Sequence, residues 1–154
     1  VEPSAGRRAL ATRIGATDVV DPLDVDVYEA LADLHGSRPL MGMPQPATEV
    51  YIEASGAAPV LRKVIGSAGP DARLVVVALH REDVPVSFLD VLMRELTIRG
   101  AMEYPDEFSR TVDLLTRTDL SALITDRFDL DDAEAAFALA ESGESAGKIL
   151  VDIT

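Results

Sequence analysis

Cysteine is absent from these 154 residues, which excludes disulfides, thiol nucleophiles and thiolate metal sites together. Histidine occurs only as His35 and His80, so a histidine-rich metal centre is excluded too. Basic residues are scarce: 14 Lys and Arg face 27 Asp and Glu, a net charge of −13. That balance leaves no basic face to release counterions from phosphates, and it argues against nucleic acid or an anionic membrane as a partner. No run approaches the roughly 18 apolar residues needed to span a bilayer. The opening Val1-Glu2-Pro3-Ser4 lacks a basic-then-apolar signal pattern, so a cytoplasmic location is expected. An initiator methionine is missing as well, and the first residues read as the interior of a structural unit, so a truncated chain is expected.

What remains is a composition able to fold. Hydrophobic residues make up 47% and charged residues 27%, interspersed, as in a globular protein with a sizeable core, and length alone favours one domain. Ala9, Leu10 and Ile14 have helical spacing after Ser4 and before Gly15, which predicts a short helix over 4–14. Residues 18–22 read as a two-residue apolar strand stopped by Pro22. Val27, Leu31 and Leu34 mark a helix over 24–35, with His35 at its C-terminal cap. The stretch SRPLMGMPQPAT at 37–48 holds three prolines and a glycine, and reads as an ordered loop without a hydrogen-bond ladder.

From residue 50 onward, strand and helix patterns alternate. Strands are expected at 50–54, 73–79, 96–101, 123–128 and 148–153, and helices at 59–67, 87–94, 106–117 and 131–141. The run at 73–79 is almost continuously apolar, which suits a parallel strand covered on both faces. The alternation implies a doubly wound parallel α/β sheet.

In such sheets, ligands bind beyond the C-terminal strand ends. The candidates are therefore Glu2, the Ala54-Ser55-Gly56 turn, Ala78-Leu79-His80 and Ala101-Met102-Glu103. An acid at Glu2 can accept from both hydroxyls of an adenosine ribose and repel a 2′-phosphate, although an acid before a helix more commonly compensates its dipole. Gly56 permits close backbone approach by an adenine or a pyrophosphate, or simply a tight packed turn. His80 reads as an exposed loop imidazole before it reads as a proton-transfer group. Asp129, Asp131, Asp132 and Glu134 have the oxygen chemistry of a divalent-ion site, but three of them fall in the first turn of a helix, where acids complement its dipole. Lys148 reads as an edge charge rather than a phosphate contact.

Three stretches together carry a family resemblance: VEPSAGRRALATRIGATDVVDP at 1–22, VYIEASGAAPVLRKVI at 50–65 and FDLDDAEAAFALAESGESAGKILVDI at 128–153. In order and spacing the chain resembles the cofactor-binding C-terminal part of the medium-chain dehydrogenase/reductase superfamily, in its zinc-dependent alcohol, threonine and butanediol dehydrogenase-like branch. The resemblance implies a Rossmann-type α/β fold, a doubly wound parallel sheet, here truncated, with the first strand and the glycine-rich loop missing. It implies a partial dinucleotide-binding domain at 1–101. It also implies a C-terminal helix and strand segment at 102–154 that would pack on an absent catalytic domain, and here would lie loosely or expose an apolar face.

Carried over by position, Glu2 matches the ribose-binding acid and Arg7 the basic residue against the adenosine. Ala54, Ser55 and Gly56 match the turn along the adenine side. Val77, Ala78 and Leu79 match the backbone that holds the nicotinamide carboxamide, and Ala101, Met102 and Glu103 match the second segment at that end. The acid at Glu2 implies NAD in preference to NADP; Arg7 and Arg8, each able to meet a phosphate, weaken that preference. The zinc ligands of the family, like its G-x-G-x-x-G turn, lie outside these residues.

The parent would be an oxidoreductase passing hydride between an alcohol or ketone and nicotinamide, and this chain alone is expected to be inactive. A small alcohol or ketone substrate, a homo-oligomer, and no nucleic acid or membrane are the expected partners. With the central strand missing, its neighbours must pair directly or recruit a strand. A zinc-free quinone or enoyl reductase, a methyltransferase-like domain and a non-catalytic folded chain stay open as alternatives.

Overall fold

A computed structural model describes residues 1–102 and 108–153. The chain divides into two compact units, Asp26–Glu103 and a second that joins Val1–Val25 to Tyr104–Thr154.

In the unit Asp26–Glu103, helix α2 (Val27–His35) starts at Asp26, whose carboxylate accepts from the Tyr28 and Glu29 amides. It ends at Gly36 in a positive-φ conformation, with His35 in its last turn. Strands β3 (Val50–Glu53), β4 (Arg73–Val76) and β5 (Thr97–Gly100) pair in parallel in the order β3-β4-β5, connected by helices α3 (Ala58–Ser67) and α4 (Phe88–Met93). Among the described residues β3 pairs with β4 alone. The expected parallel α/β architecture is therefore present in this half.

The core forms because α3 presents Leu61, Val64 and Ile65 on one stripe and Ala68 and Ala72 close the turn after it. Tyr51 and Leu74 meet that stripe from β3 and β4. Val60 is exposed, since at 100° per residue it stands about a quarter-turn off the line of 61, 64, 65 and 68. Strand β4 ends at Val76, short of the expected 73–79, and is buried at Leu74 alone; Val77 and Leu79 are exposed, so the cover expected along the whole run is not found. Strand β3 alternates: Tyr51 and Glu53 are buried, while Ile52 on the other face is 68% exposed.

The segment 37–48 overturns its sequence reading. It forms a hairpin, β1 (Ser37–Leu40) against β2 (Met43–Pro46), around a two-residue turn in which Met41 (φ 50°) and Gly42 (φ 82°) both have positive φ. That is the turn whose twist matches a hairpin. Antiparallel pairs alternate between hydrogen-bonded and non-hydrogen-bonded sites. Counting from the turn, Pro39↔Pro44 and Ser37↔Pro46 fall at non-hydrogen-bonded sites, and the ladder resumes where the Ala47 amide donates to the Gly36 carbonyl at 2.8 Å. The prolines therefore remove no ladder bond. At the base of the hairpin, a Cβ on Gly69 would stand 2.1 Å from the Pro46 carbonyl, so only glycine lets the α3–β4 loop pass there.

Arg94 ties this unit together. Its guanidinium donates to the carbonyls of Gly66 and Ala68, closing the C-terminus of α3, and to Gln45 Oε1 at 3.1 Å.

In the other unit, helix α1 (Ala5–Arg13) is capped by Ser4 and buries Leu10. Helix α5 (Phe108–Arg117) is amphipathic, and its apolar residues Phe108, Val112 and Leu115 are about half exposed. Strands β6 (Ile124–Asp129) and β7 (Lys148–Asp152) pair in parallel through helix α6 (Ala133–Ser142), which ends at Gly143 in the left-handed conformation. Asp131 and Asp132 lie in a 3-10 turn that leads into α6, and Glu134 is in its first turn. The strand expected within 18–22 forms no ladder; a single bond, Glu2 N–H to the Val20 carbonyl at 3.0 Å, joins it to the chain start.

Candidate functional site

At the C-terminal ends of β3 and β4 one side chain organises the backbone, and it is not among the residues predicted. Glu53 is 3% exposed. Its Oε1 accepts from the Ser55 amide at 2.8 Å, the Ser55 hydroxyl and the Gly56 amide at 3.0 Å; its Oε2 lies 2.8 Å from His80 Nε2. Burial is the largest single influence on this carboxyl and pushes its pKa up. The bonds from Ser55, His80 and Gly56 together outweigh it and hold the group below the ordinary glutamate value.

An ionised carboxylate only accepts, so His80 Nε2 carries the proton and donates. Nδ1 is then buried with no hydrogen-bond partner among the described residues. The imidazole expected to sit exposed in a loop is instead 12% exposed at its side chain, because the carboxylate at the end of β3 draws it inward. The signal for Glu53 was present as alternation with Tyr51, which puts both on the covered face of β3.

Gly56 is brought against Leu79. Gly56 has φ 69°, and a Cβ there would lie 3.1 Å from the Leu79 carbonyl. The amides of Ser55 and Gly56 are committed to Glu53, so the turn does not offer them to a phosphate. Ala54 is exposed at its start. The amides of Val77 and Ala78 donate to the Glu53 carbonyl at 3.0 and 3.3 Å, which carries the β3–β4 ladder past the end of β4. Ala101 donates to the Val76 carbonyl at 3.0 Å, Met102 is exposed, and Glu103 lies outside the described residues. A hollow lined by Asp26, Glu29 and Asp33 lies by the hairpin and Ser67, not at the strand ends, and its three acids disfavour a phosphate-bearing ligand.

In the unit that holds the chain start, Glu2 Oε1 accepts from the Ser4 amide at 2.9 Å. Arg8 donates to the Glu2 and Pro3 carbonyls at 2.8 and 2.7 Å and pairs with Asp21 at 2.7 Å. Arg7 donates to the carbonyls of Gly143 and Ser145 at 3.0 and 3.3 Å, the first of these at the C-cap of α6. Lys148 is exposed at the first position of β7. No group of three or more His, Cys, Asp or Glu able to hold a metal ion occurs among the described residues, and the chain has no cysteine, so the residues present do not fit a zinc site.

Comparison with known proteins adds the following. The family model described as zinc-binding dehydrogenase matches residues 1–117. A (R,R)-butanediol dehydrogenase of Neisseria gonorrhoeae is 30% identical over 156 residues, covering 98% of this chain and 42% of the relative. The crystal structure of 2R,3R-butanediol dehydrogenase from Bacillus subtilis superimposes with a TM-score of 0.79 at 26% identity, covering 99% of this chain and 42% of that one. A zinc-binding dehydrogenase of Sinorhizobium meliloti, bound to NADP, does so with a TM-score of 0.74 at 28% identity, covering 97% and 42%. The chain thus spans about two fifths of the length of the relatives it matches.

Proposed function

Because this chain belongs to the zinc-binding dehydrogenase family, we propose that it is the nicotinamide-cofactor-binding part of a zinc-dependent alcohol dehydrogenase-like oxidoreductase, taking NAD in preference to NADP. The family match across 1–117, which spans the strand-end turns, carries the reading. When bound, the nicotinamide ring accepts or returns the hydride exchanged with an alcohol or ketone.

The residues of this chain bind and orient. Glu2, with Oε1 on the Ser4 amide, keeps Oε2 for a ribose hydroxyl. Arg7 lies on the adenosine side. Ala54, Ser55 and Gly56 present a turn whose amides are already satisfied, a surface suited to a flat adenine more than to a phosphate. Val77, Ala78 and Leu79, then Ala101, Met102 and Glu103, supply backbone at the nicotinamide end. The preference for NAD is supported by Arg8, which is bound to two carbonyls and Asp21 through both terminal nitrogens and would lose those bonds to meet a 2′-phosphate; Arg7 holds two carbonyls through one nitrogen and keeps the rest of its guanidinium for a phosphate, which weakens that preference. Zinc in the complete protein would take ligands other than these residues.

The segment 102–154 is proposed to pack on a catalytic domain through α5, and the working protein to be a cytoplasmic homo-oligomer. Calorimetric titration of protein from the complete reading frame with NAD, NADP and S-adenosylmethionine tests the reading. NAD binding tighter than NADP is expected; tight S-adenosylmethionine binding with none for either nicotinamide sinks it. Metal analysis of the same protein separates a zinc enzyme from a zinc-free quinone or enoyl reductase.

A further inference from the structure

We propose that Glu53 and His80 are a positioning pair that fixes the spacing between the Ser55–Gly56 turn and the segment at Val77–Leu79; its consequence for ligand binding rests on the cofactor reading given above. The two segments leave the sheet where β3 and β4 end, and the bond from the Ala78 amide to the Glu53 carbonyl, at 3.3 Å, is the last backbone bond between them. Beyond it, the Glu53 side chain bridges the gap. One carboxylate oxygen gathers three donors from the turn, and the other takes the ring N–H of a residue 27 positions away.

The contact so enforced is close, since a methyl group on Gly56 would already press on the Leu79 carbonyl. A buried carboxylate and a ring nitrogen without a partner among the described residues are poor choices for stability alone, because an apolar pair of similar volume would avoid their desolvation. What the pair supplies is direction: four bonds that converge on one carboxylate set both segments in a single arrangement. Neither side chain is assigned contact with a ligand; both act through the backbone they hold.

The test uses protein from the complete reading frame with His80→Gln, His80→Ala and Glu53→Gln. Glutamine at 80 can place an amide N–H where the ring Nε2–H stands, and alanine cannot. Long-range proton–nitrogen spectra are expected to show His80 protonated at Nε2 in the wild type, and at Nδ1 in Glu53→Gln, where the new amide donates to Nε2. Nδ1 protonation in the wild type overturns the proposal.

The Ser55 and Gly56 amide resonances should move in His80→Ala and return in His80→Gln. Unmoved resonances in His80→Ala overturn it. For NADH, His80→Ala should raise Kd about tenfold, about 1.4 kcal/mol, and His80→Gln should restore it. Equal affinity in all three proteins, with wild-type binding intact, refutes the positioning role while sparing the cofactor reading. A wild-type protein that binds no NADH refutes the cofactor reading, and the ring spectrum and the amide shifts then decide the pair by themselves.

Discussion

Replacing Arg94 by methionine keeps an apolar stem of similar reach and deletes the guanidinium. Three acceptors lose their donor: the carbonyls of Gly66 and Ala68 at the end of α3, and Gln45 Oε1 on β2. Bonds from a charged donor contribute about 1.5 kcal/mol each at the low end of their range, so about 4.5 kcal/mol is lost. Against this, Arg94 Nε is itself buried without a partner among the described residues, and removing it returns about 1.5 kcal/mol. The net expected destabilisation is about 3 kcal/mol. With a urea slope of about 1.5 kcal/mol/M, the unfolding midpoint falls by about 2 M. Tyrosine fluorescence reports it well, since the chain has no tryptophan and Tyr28 and Tyr51 both belong to the affected core. Arg94→Lys, with a point charge in place of a planar fork, should fall between the two. A methionine variant whose midpoint lies within about 0.3 M of the wild type, on that same slope, would show that the guanidinium makes no net contribution.

Glu53 has a lowered pKa in the folded chain, so its contribution to stability is complete above the ordinary glutamate value of 4.5 and is lost as pH falls through the lower folded value. Urea midpoints between neutral and acid pH should decline more steeply in the wild type than in Glu53→Gln; parallel profiles would show that the carboxylate gains nothing from its donors. Glu2→Gln should narrow the selectivity for NAD over NADP, read as the ratio of Kd values, and an unchanged ratio removes Glu2 from that role. Gly69→Ala should cost about 1–3 kcal/mol by forcing β2 off the α3–β4 loop; a thermal midpoint equal to wild type would mean that the hairpin yields freely.

The parallel half of the fold was legible in the sequence because each of its elements repeats one period, such as the α3 stripe at Leu61, Val64 and Ile65 and the apolar run around Leu74. The hairpin was not, because proline content carries no phase: Pro39, Pro44 and Pro46 exclude a ladder only at hydrogen-bonded sites, and register is set by the turn at Met41–Gly42. Val19 and Val20 look like a strand locally, but a ladder needs a partner of matching length, and Val1–Glu2 supplies one bond. The strand-end turns were found by topology, since they follow directly from where β3 and β4 stop. Glu53 and the inward turn of His80 were missed because a charged residue inside an apolar strand discloses its partners only when residues 27 positions apart are brought together.

The same proline phase has a second effect. At non-hydrogen-bonded sites the backbone faces outward, so along the free side of β2 both amides that an arriving extended chain would seek, at positions 44 and 46, have been replaced by pyrrolidine rings. Without those donors an arriving strand would leave its own facing carbonyls unpaired, so that side is a poor template for further strands, however much apolar surface Met41 and Met43 show to water. The tip itself is not free to change: residues inserted between Met41 and Gly42 would separate the two positive-φ positions that set the register, and with them the phase that keeps the prolines off the hydrogen-bonded sites.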